Sequence, residues 1–413
     1  MRVIVNRQQR PSPDDRELRL WGVGRALIVT VVAAVMAAGS VISVLVYLLD
    51  FQKIDTTAKL DAKTLFDLVK ISFGVVAGAG ALVALVVAYR RQRVDEAGAH
   101  REATRLHTER FSQAVDKLGS DSPAVRLGGV HALAGLADDA PDDNLRQTCI
   151  DVLCAYLQLP FTPDPGDDPA HQEEHHRYLA FRKVRHTILR LIGDHYRRPK
   201  GTHRSWQGCD LDLTSVTIDG TIDLKNANFS GGRVSFDDAI FSGGRVSFAG
   251  AIFSGGRVSF AGAIFSGGHV SFAGATFSGG HVYFVSATFS SGRVSFGDAI
   301  FSGSTVSFAS ASFSGGHVHF SSATFSGGHV YFLGATFSGG HVSFLGATFS
   351  GSEVSLGDVR FFGGTVVFDG ARFFSGTVSF TEATGQVPSG LRAAVITASA
   401  PVALPDAWLP VNP

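Results

Sequence analysis

The chain has 413 residues, with 36 Lys and Arg against 36 Asp and Glu, so its formal net charge is zero. That balance excludes bulk electrostatic attraction to nucleic acid. Its three cysteines, Cys149, Cys154 and Cys209, lack the paired spacing of a disulfide framework or a zinc site, and reduced thiols are the simplest reading.

In chain order, residues 1–25 read as an Arg-rich tail with Arg2, Arg7, Arg10, Arg16, Arg19 and Arg25. Residues 26–49 carry no charge and as a helix are long enough to cross a bilayer core; residues 71–89 are just long enough. Both are predicted transmembrane helices, the second with Gly74, Gly78 and Gly80 for close helix approach. In the connecting loop, 50–70, Lys53, Lys59, Lys63 and Lys70 balance Asp50, Asp55, Asp61 and Asp67. Arg90, Arg91, Arg93, Arg101 and Arg105 come after the second stretch. The charge pattern places the loop outside and both termini in the cytoplasm, as a multi-pass plasma-membrane protein with the lipid bilayer as a partner.

Residues 90–160 read as a cytoplasmic helical segment. Glu102 to Leu118 aligns Leu106, Phe111, Val115 and Leu118; Ser122-Pro123 starts a helix through Gly128-Gly129, a pair that suits close packing; Leu145 to Leu157 forms the next. Residues 161–172 are a Pro- and Asp-rich linker, and 173–205 hold an amphipathic helix and the entrance to a repetitive domain. His171, His175 and His176 beside Glu173 and Glu174 have helix spacing that suits a metal, yet they lack a second ligand set and read as a solvated helix start. No nucleophile–base arrangement is visible, so the expectation is a protein without enzymatic activity, cofactor or metal.

From about Ile218 to Phe380 the chain repeats every twelve residues as Val-Ser-Phe-x-x-Ala-x-Phe-Ser-Gly-Gly-x, seen cleanly in Val246 to Arg257 and Val258 to His269. Such a period marks a solenoid, in which each unit buries its apolar face by stacking on its neighbours. Each Phe has a Val or a small residue two positions earlier, the spacing of a strand with one buried face. Ser-Gly-Gly supplies sharp corners. A helix is excluded, because paired Gly would cost each turn roughly 2 kcal/mol. The repeat lacks the Gly-Lys-Ser/Thr ending of a phosphate loop and the Asp of a calcium-binding roll. The domain is expected over 206–385, with a 386–413 tail covering its open end. A coil of two units, about 24 residues, is preferred, with a 12-residue coil as the alternative; about seven coils result.

Val-Ser-Phe-Asp-Asp followed by Ala-Ile-Phe-Ser-Gly (Val234 to Gly243) resembles two tandem units of the pentapeptide-repeat family. The order of two apolar stretches, a Val-Arg-Leu-Gly-Gly segment (Val125 to Gly129) and Phe-rich repeats is similar to membrane-anchored pentapeptide-repeat proteins common in actinobacteria. The resemblance implies a right-handed quadrilateral β-helix, and with it an α + β multi-domain chain: two transmembrane helices, a small α-helical segment and the β-solenoid. Some members of that family mimic DNA and bind type II topoisomerases. Here the acids are too sparse and balanced for that role.

The last position of each unit holds Arg233, Arg245, Arg257, His269, His281, Arg293, Thr305, His317, His329, His341, Glu353, Thr365 and Thr377. On a 24-residue coil these form two cationic ladders, the candidate surface for an acidic partner or anionic lipid, with His rungs that strengthen binding below about pH 6.5; solubilising corner residues copied with the repeat are the alternative. A non-enzymatic scaffold that displays the rod to a cytoplasmic protein is the expected function, and self-association into a homo-oligomer is the alternative.

Overall fold

The computed structural model describes residues 62 to 409 except 162, 163 and 167, together with Val32, Met36, Gly39, Ser40, Ser43 and Tyr47. The chain divides into two compact units, 1–103 and 104–413.

In the first unit, the described residues from Ala62 belong to α1 (Ala62–Leu118), a single helix of 57 residues whose far end lies in the second unit. Two expectations are corrected here. Among the described residues, no helix is long and apolar enough to cross a membrane, so the predicted transmembrane fold and the multi-pass plasma-membrane placement are not supported. Residues 71–89 carry no charge. Yet Gly74, Gly78, Gly80, Ala77, Ala81, Ala84 and Ala88 contribute little apolar area, and the helix runs on through charged residues on both sides. The other predicted span, 26–49, lies outside the described residues save those six positions. The expected helix at Glu102 is not a separate element either: residues 90–101, rich in good helix formers, continue α1 without a break.

In the second unit, α2 (Pro123–Asp138) and α3 (Asp143–Gln158) pack together. Asp142 caps α3 by accepting from the Leu145 amide at 2.8 Å. A Cβ on Gly129 would press into the backbone of Leu118 and Ala114, whereas one on Gly128 would meet open space; only the second glycine of the pair is needed for packing. Then α4 (Gln172–Tyr196) buries Val184, Ile188, Leu191 and Ile192.

The solenoid comes next. All strand pairs are parallel, and Ile240–Phe241 pairs with Ile264–Phe265 and on with Thr288–Phe289, a 24-residue coil that rules out the 12-residue alternative. The first coil is one residue shorter, Thr217 pairing with Ile240. Each coil presents four faces in order: face 1 (as in Arg233–Ser235), face 2 (Ile240–Phe241), face 3 (Arg245–Ser247) and face 4 (Ile252–Ser254). Face 2 is an eight-stranded sheet, giving about eight coils rather than seven, a stack of about 38 Å at the usual strand spacing.

Each of the five coils from Phe236 to Phe349 sends four phenylalanines to the axis, whereas the first coil supplies Leu213, Ile218, Leu224 and Phe229. Phe236, Phe260, Phe284 and Phe308 stack at 4.8 Å with nearly parallel rings, and so do Phe241, Phe265, Phe289 and Phe313. Phe236 meets Phe248 edge-on at 5.7 Å across the axis, so offset stacking and T-contacts fill the core together. Between Phe236 and Ala239 the chain makes a β-turn, the Ala239 amide donating to the Phe236 carbonyl at 3.1 Å. Its third residue, Asp238, sits at φ 56°, and the equivalents are Gly, Ser or Asp, with Asn226 and Glu382 near the two ends of the rod. Free φ is thus needed at this corner as well as at Ser-Gly-Gly, where alone the repeat pattern placed it.

Both ends of the stack are covered. At the first coil, side chains of α3 and α4 reach the unpaired strand edge. Gln147 donates to the Asp210 carbonyl at 2.8 Å, Arg185 to the Thr217 carbonyl at 3.3 Å, and Arg197 to the Asp223 carbonyl at 3.1 Å. Tyr196 packs on Phe229 with ring centres 5.0 Å apart and planes tilted by 32°, and so opens the aromatic column. At the last coil, α5 (Leu391–Ile396) buries Leu391, Val402–Ala403 adds a strand to face 1, and Trp408 covers Phe361 and Phe380 while donating to the Gly385 carbonyl at 3.2 Å. Covered ends suppress edge-to-edge pairing between rods.

Candidate functional site: two basic ladders on the solenoid

Strand register decides where the twelve-residue cations fall. On face 1, Arg233 pairs with Arg257, Arg257 with His281, His281 with Thr305, Thr305 with His329 and His329 with Glu353. On face 3, Arg245 pairs with His269, His269 with Arg293, Arg293 with His317, His317 with His341 and His341 with Thr365. All nine candidate residues therefore stand on two ladders. They alternate with buried Val because side chains alternate across a strand: Arg245 points out, Val246 in.

The ladders differ electrostatically. Face 1 is partly neutralised. The Arg257 guanidinium lies 5.0 Å over the Tyr283 ring, and His329 Nδ1 stands 3.0 Å from a Glu353 carboxylate oxygen. Thr305 interrupts the column. On face 3, Arg245, His269, Arg293, His317 and His341 occupy consecutive coils, and among the described residues none of them is ion-paired. Like charges one strand spacing apart repel by about 1 kcal/mol even in bulk water. Burial, then Arg293 and Arg245, hold the His269 imidazole below its ordinary pKa.

One residue of this surface escaped the sequence reading. His319 follows His317 by two positions, shares its face, and lies 6.1 Å from His317 and 5.9 Å from His341, ring centre to ring centre. Burial, then Arg293, His341, His317 and His269, push its pKa down. The signal was present: this position is Ser in most units, and only Tyr283, His319 and Tyr331 replace it with a large ring among the units from Ser235 to Ser355. Asp223 pairs with Ser247 and so begins the face 3 column that reaches His319 four coils on, while Asp298 and Asp369 occupy corner positions off the Arg245–His341 ladder.

The remaining chemistry-bearing groups are accounted for locally. His171 is 3.1 Å from Glu174 and His175 is 2.7 Å from Asp164, and the described residues hold no cluster suited to a metal ion. Burial pushes the Cys149 and Cys209 thiols up to about 11 and Cys154 to about 12, so none is a thiolate at neutral pH.

Neither protein-family models nor curated proteins match this sequence. The class is set by the fold: a parallel β-solenoid of about eight coils with 24-residue spacing, consistent with the pentapeptide-repeat type.

Proposed function

We propose that this protein is a non-enzymatic interaction module whose solenoid displays the face 3 ladder to a protein partner with an acidic, extended surface. The observation that carries the reading is the register that stacks Arg245, His269, Arg293, His317 and His341 in consecutive coils without a carboxylate among them. A repeating fold can relieve such repulsion by changing one residue, as face 1 does at Thr305 and Glu353. A row of cations at strand spacing matches carboxylates spaced along an extended chain. Burial, then Arg293 and Arg245, hold the His269 imidazole below its ordinary pKa, so its added positive charge, and the tighter hold on an acidic partner that goes with it, come only below the usual histidine range.

Poly-L-glutamate serves as the probe. Replacing Arg245, His269, Arg293 and His317 by Ser should weaken its binding at pH 6 by at least tenfold, while the same change at Arg233, Arg257 and His281 has a smaller effect. Equal loss from the two faces, or no loss from face 3, would sink the reading.

A further inference from the structure

A cavity of about 500 Å³ opens within the helical part of the second unit, lined among others by Arg126, Tyr156, Phe161, Arg177, Tyr178 and Arg185. Its size is that of small-molecule sites, and its walls combine apolar rings with a few polar groups, as such sites do. What sets it apart is charge. Three guanidiniums line it against one carboxylate, Glu174, which already stands 3.1 Å from His171. Among the described residues, none of the three arginines is ion-paired. The neighbouring Asp219 is already held by Arg182 and Tyr178, each at 2.7 Å, and by His186 at 3.3 Å.

Arg185 is only 5% exposed and has no carboxylate in ion-pair contact; the field of Asp219 favours its charge but does not offset burial, and a buried charge so placed is costly unless something else compensates it. Its one protein hydrogen bond, at 3.3 Å to the Thr217 carbonyl, uses one of five N–H groups. Burial lowers its pKa, the mark of a cation held away from water. Arg126 spends Nε on the Ser120 carbonyl and one Nη on the Tyr156 hydroxyl. Both guanidiniums are already fixed over rings, Arg185 4.8 Å over Phe161 and Arg126 4.5 Å over Phe181. Phe161 and Tyr178 stack at 5.1 Å and present a flat apolar wall. Rigid, half-used donors beside flat rings are what a planar anion needs.

We propose that this cavity binds a small anion with a planar aromatic body, its carboxylate or phosphate held by Arg126, Arg177 and Arg185 and its ring laid against Phe161, Tyr178 and Phe181. The inference is independent of the ladders and stands or falls separately.

The test is calorimetry on the full chain with four probes: 2-naphthoate, AMP, neutral 2-naphthamide and inorganic phosphate. The expected result is one-to-one binding of 2-naphthoate or AMP, with the amide and free phosphate at least tenfold weaker. Which of the first two binds tells a carboxylate ligand from a phosphate one. Arg177→Gln alters an exposed side chain and should weaken the bound anion about tenfold, while the face 3 serine variant should bind it unchanged. The proposal is overturned if neither 2-naphthoate nor AMP binds, if the amide binds as tightly as the acid, or if binding follows face 3 instead of Arg177. The acid–amide comparison in the parent protein needs no variant, so it decides the matter whatever a substitution does to folding.

Discussion

The solenoid and the helical cap hold themselves together by opposite means. In the solenoid the core contacts are repeated: Phe272 stacks on Phe248 below and Phe296 above at 4.8–4.9 Å, and the same pairings recur along the rod. In the cap each contact occurs once. Asp219 alone gathers Tyr178, Arg182 and His186, and Asp138 alone binds both His195 at 3.2 Å and the Trp206 indole at 3.1 Å. Repetition makes a structure legible from its sequence; single contacts made by side chains far apart in the chain do not announce themselves.

Four substitutions or conditions test that contrast, from the largest effect down. Phe272→Ala opens a void in the middle of two columns and should cost about 3–5 kcal/mol in denaturant unfolding. Hydrogen exchange should locate the damage in the adjacent coils, as neighbour-only stacking requires. Protection lost evenly along the whole rod would break the neighbour-only picture.

Asp219→Ala should cost about 2–3 kcal/mol, since it strips an ionised acceptor from three half-buried donors. Burial alone would raise this carboxyl, but hydrogen bonds from His186, Tyr178 and Arg182 hold it well below the usual carboxylate range. Its contribution is thus present above the unfolded pKa of about 3.9 and is lost as pH falls through the folded value. Exchange should rise in α4 and the first coil and stay unchanged at the last.

Two glycines at positive φ separate local backbone cost from coil contact. Gly268 (φ 68°) lies against the coil beneath, where a Cβ would overlap the Gly244 carbonyl. Gly268→Ala should therefore cost about 1–3 kcal/mol from strain alone, and more from the overlap. Gly274 (φ 65°) faces open space and occupies the corner where Asp238 and Asp298 stand at φ 56° and 57°. Gly274→Asn should cost only about 0.5 kcal/mol, because Asn tolerates this region. Equal costs at the two sites would contradict the close coil approach.

The smallest effect is in pH. His269 and His319 both have lowered pKa values in the folded protein, so below about 6.5 the unfolded chain takes up their protons more readily. Folding stability should therefore decline as pH drops from about 7 through the lowered values, and the variant with both changed to Ser should show a shallower decline. An unchanged slope would mean that the cationic crowding on face 3 is not felt.

The phenylalanine columns and the paired ladders could be read directly, because a twelve-residue period fixes which residues share a face. The coil of 24 residues needed the structure, since a 12-residue turn has the same period. Missed were the arginines of α4 that cap the first coil, whose partners are backbone carbonyls about 30 residues away and leave no trace in composition. The cavity was missed for the same reason: Arg126, Tyr156 and Arg185 belong to three helices. The predicted span over 71–89 fails because its lack of charge is offset by the modest apolar area of Gly and Ala; the one over 26–49 lies outside the described residues.

The most direct test of the ladder as a docking surface is covalent labelling of histidines with diethyl pyrocarbonate at pH 6, with and without poly-L-glutamate, read by mass spectrometry. The account predicts protection of His269, His317, His319 and His341, with His281 and His329 on face 1 labelled as before. Protection of the face 1 histidines instead, or of none, would contradict it.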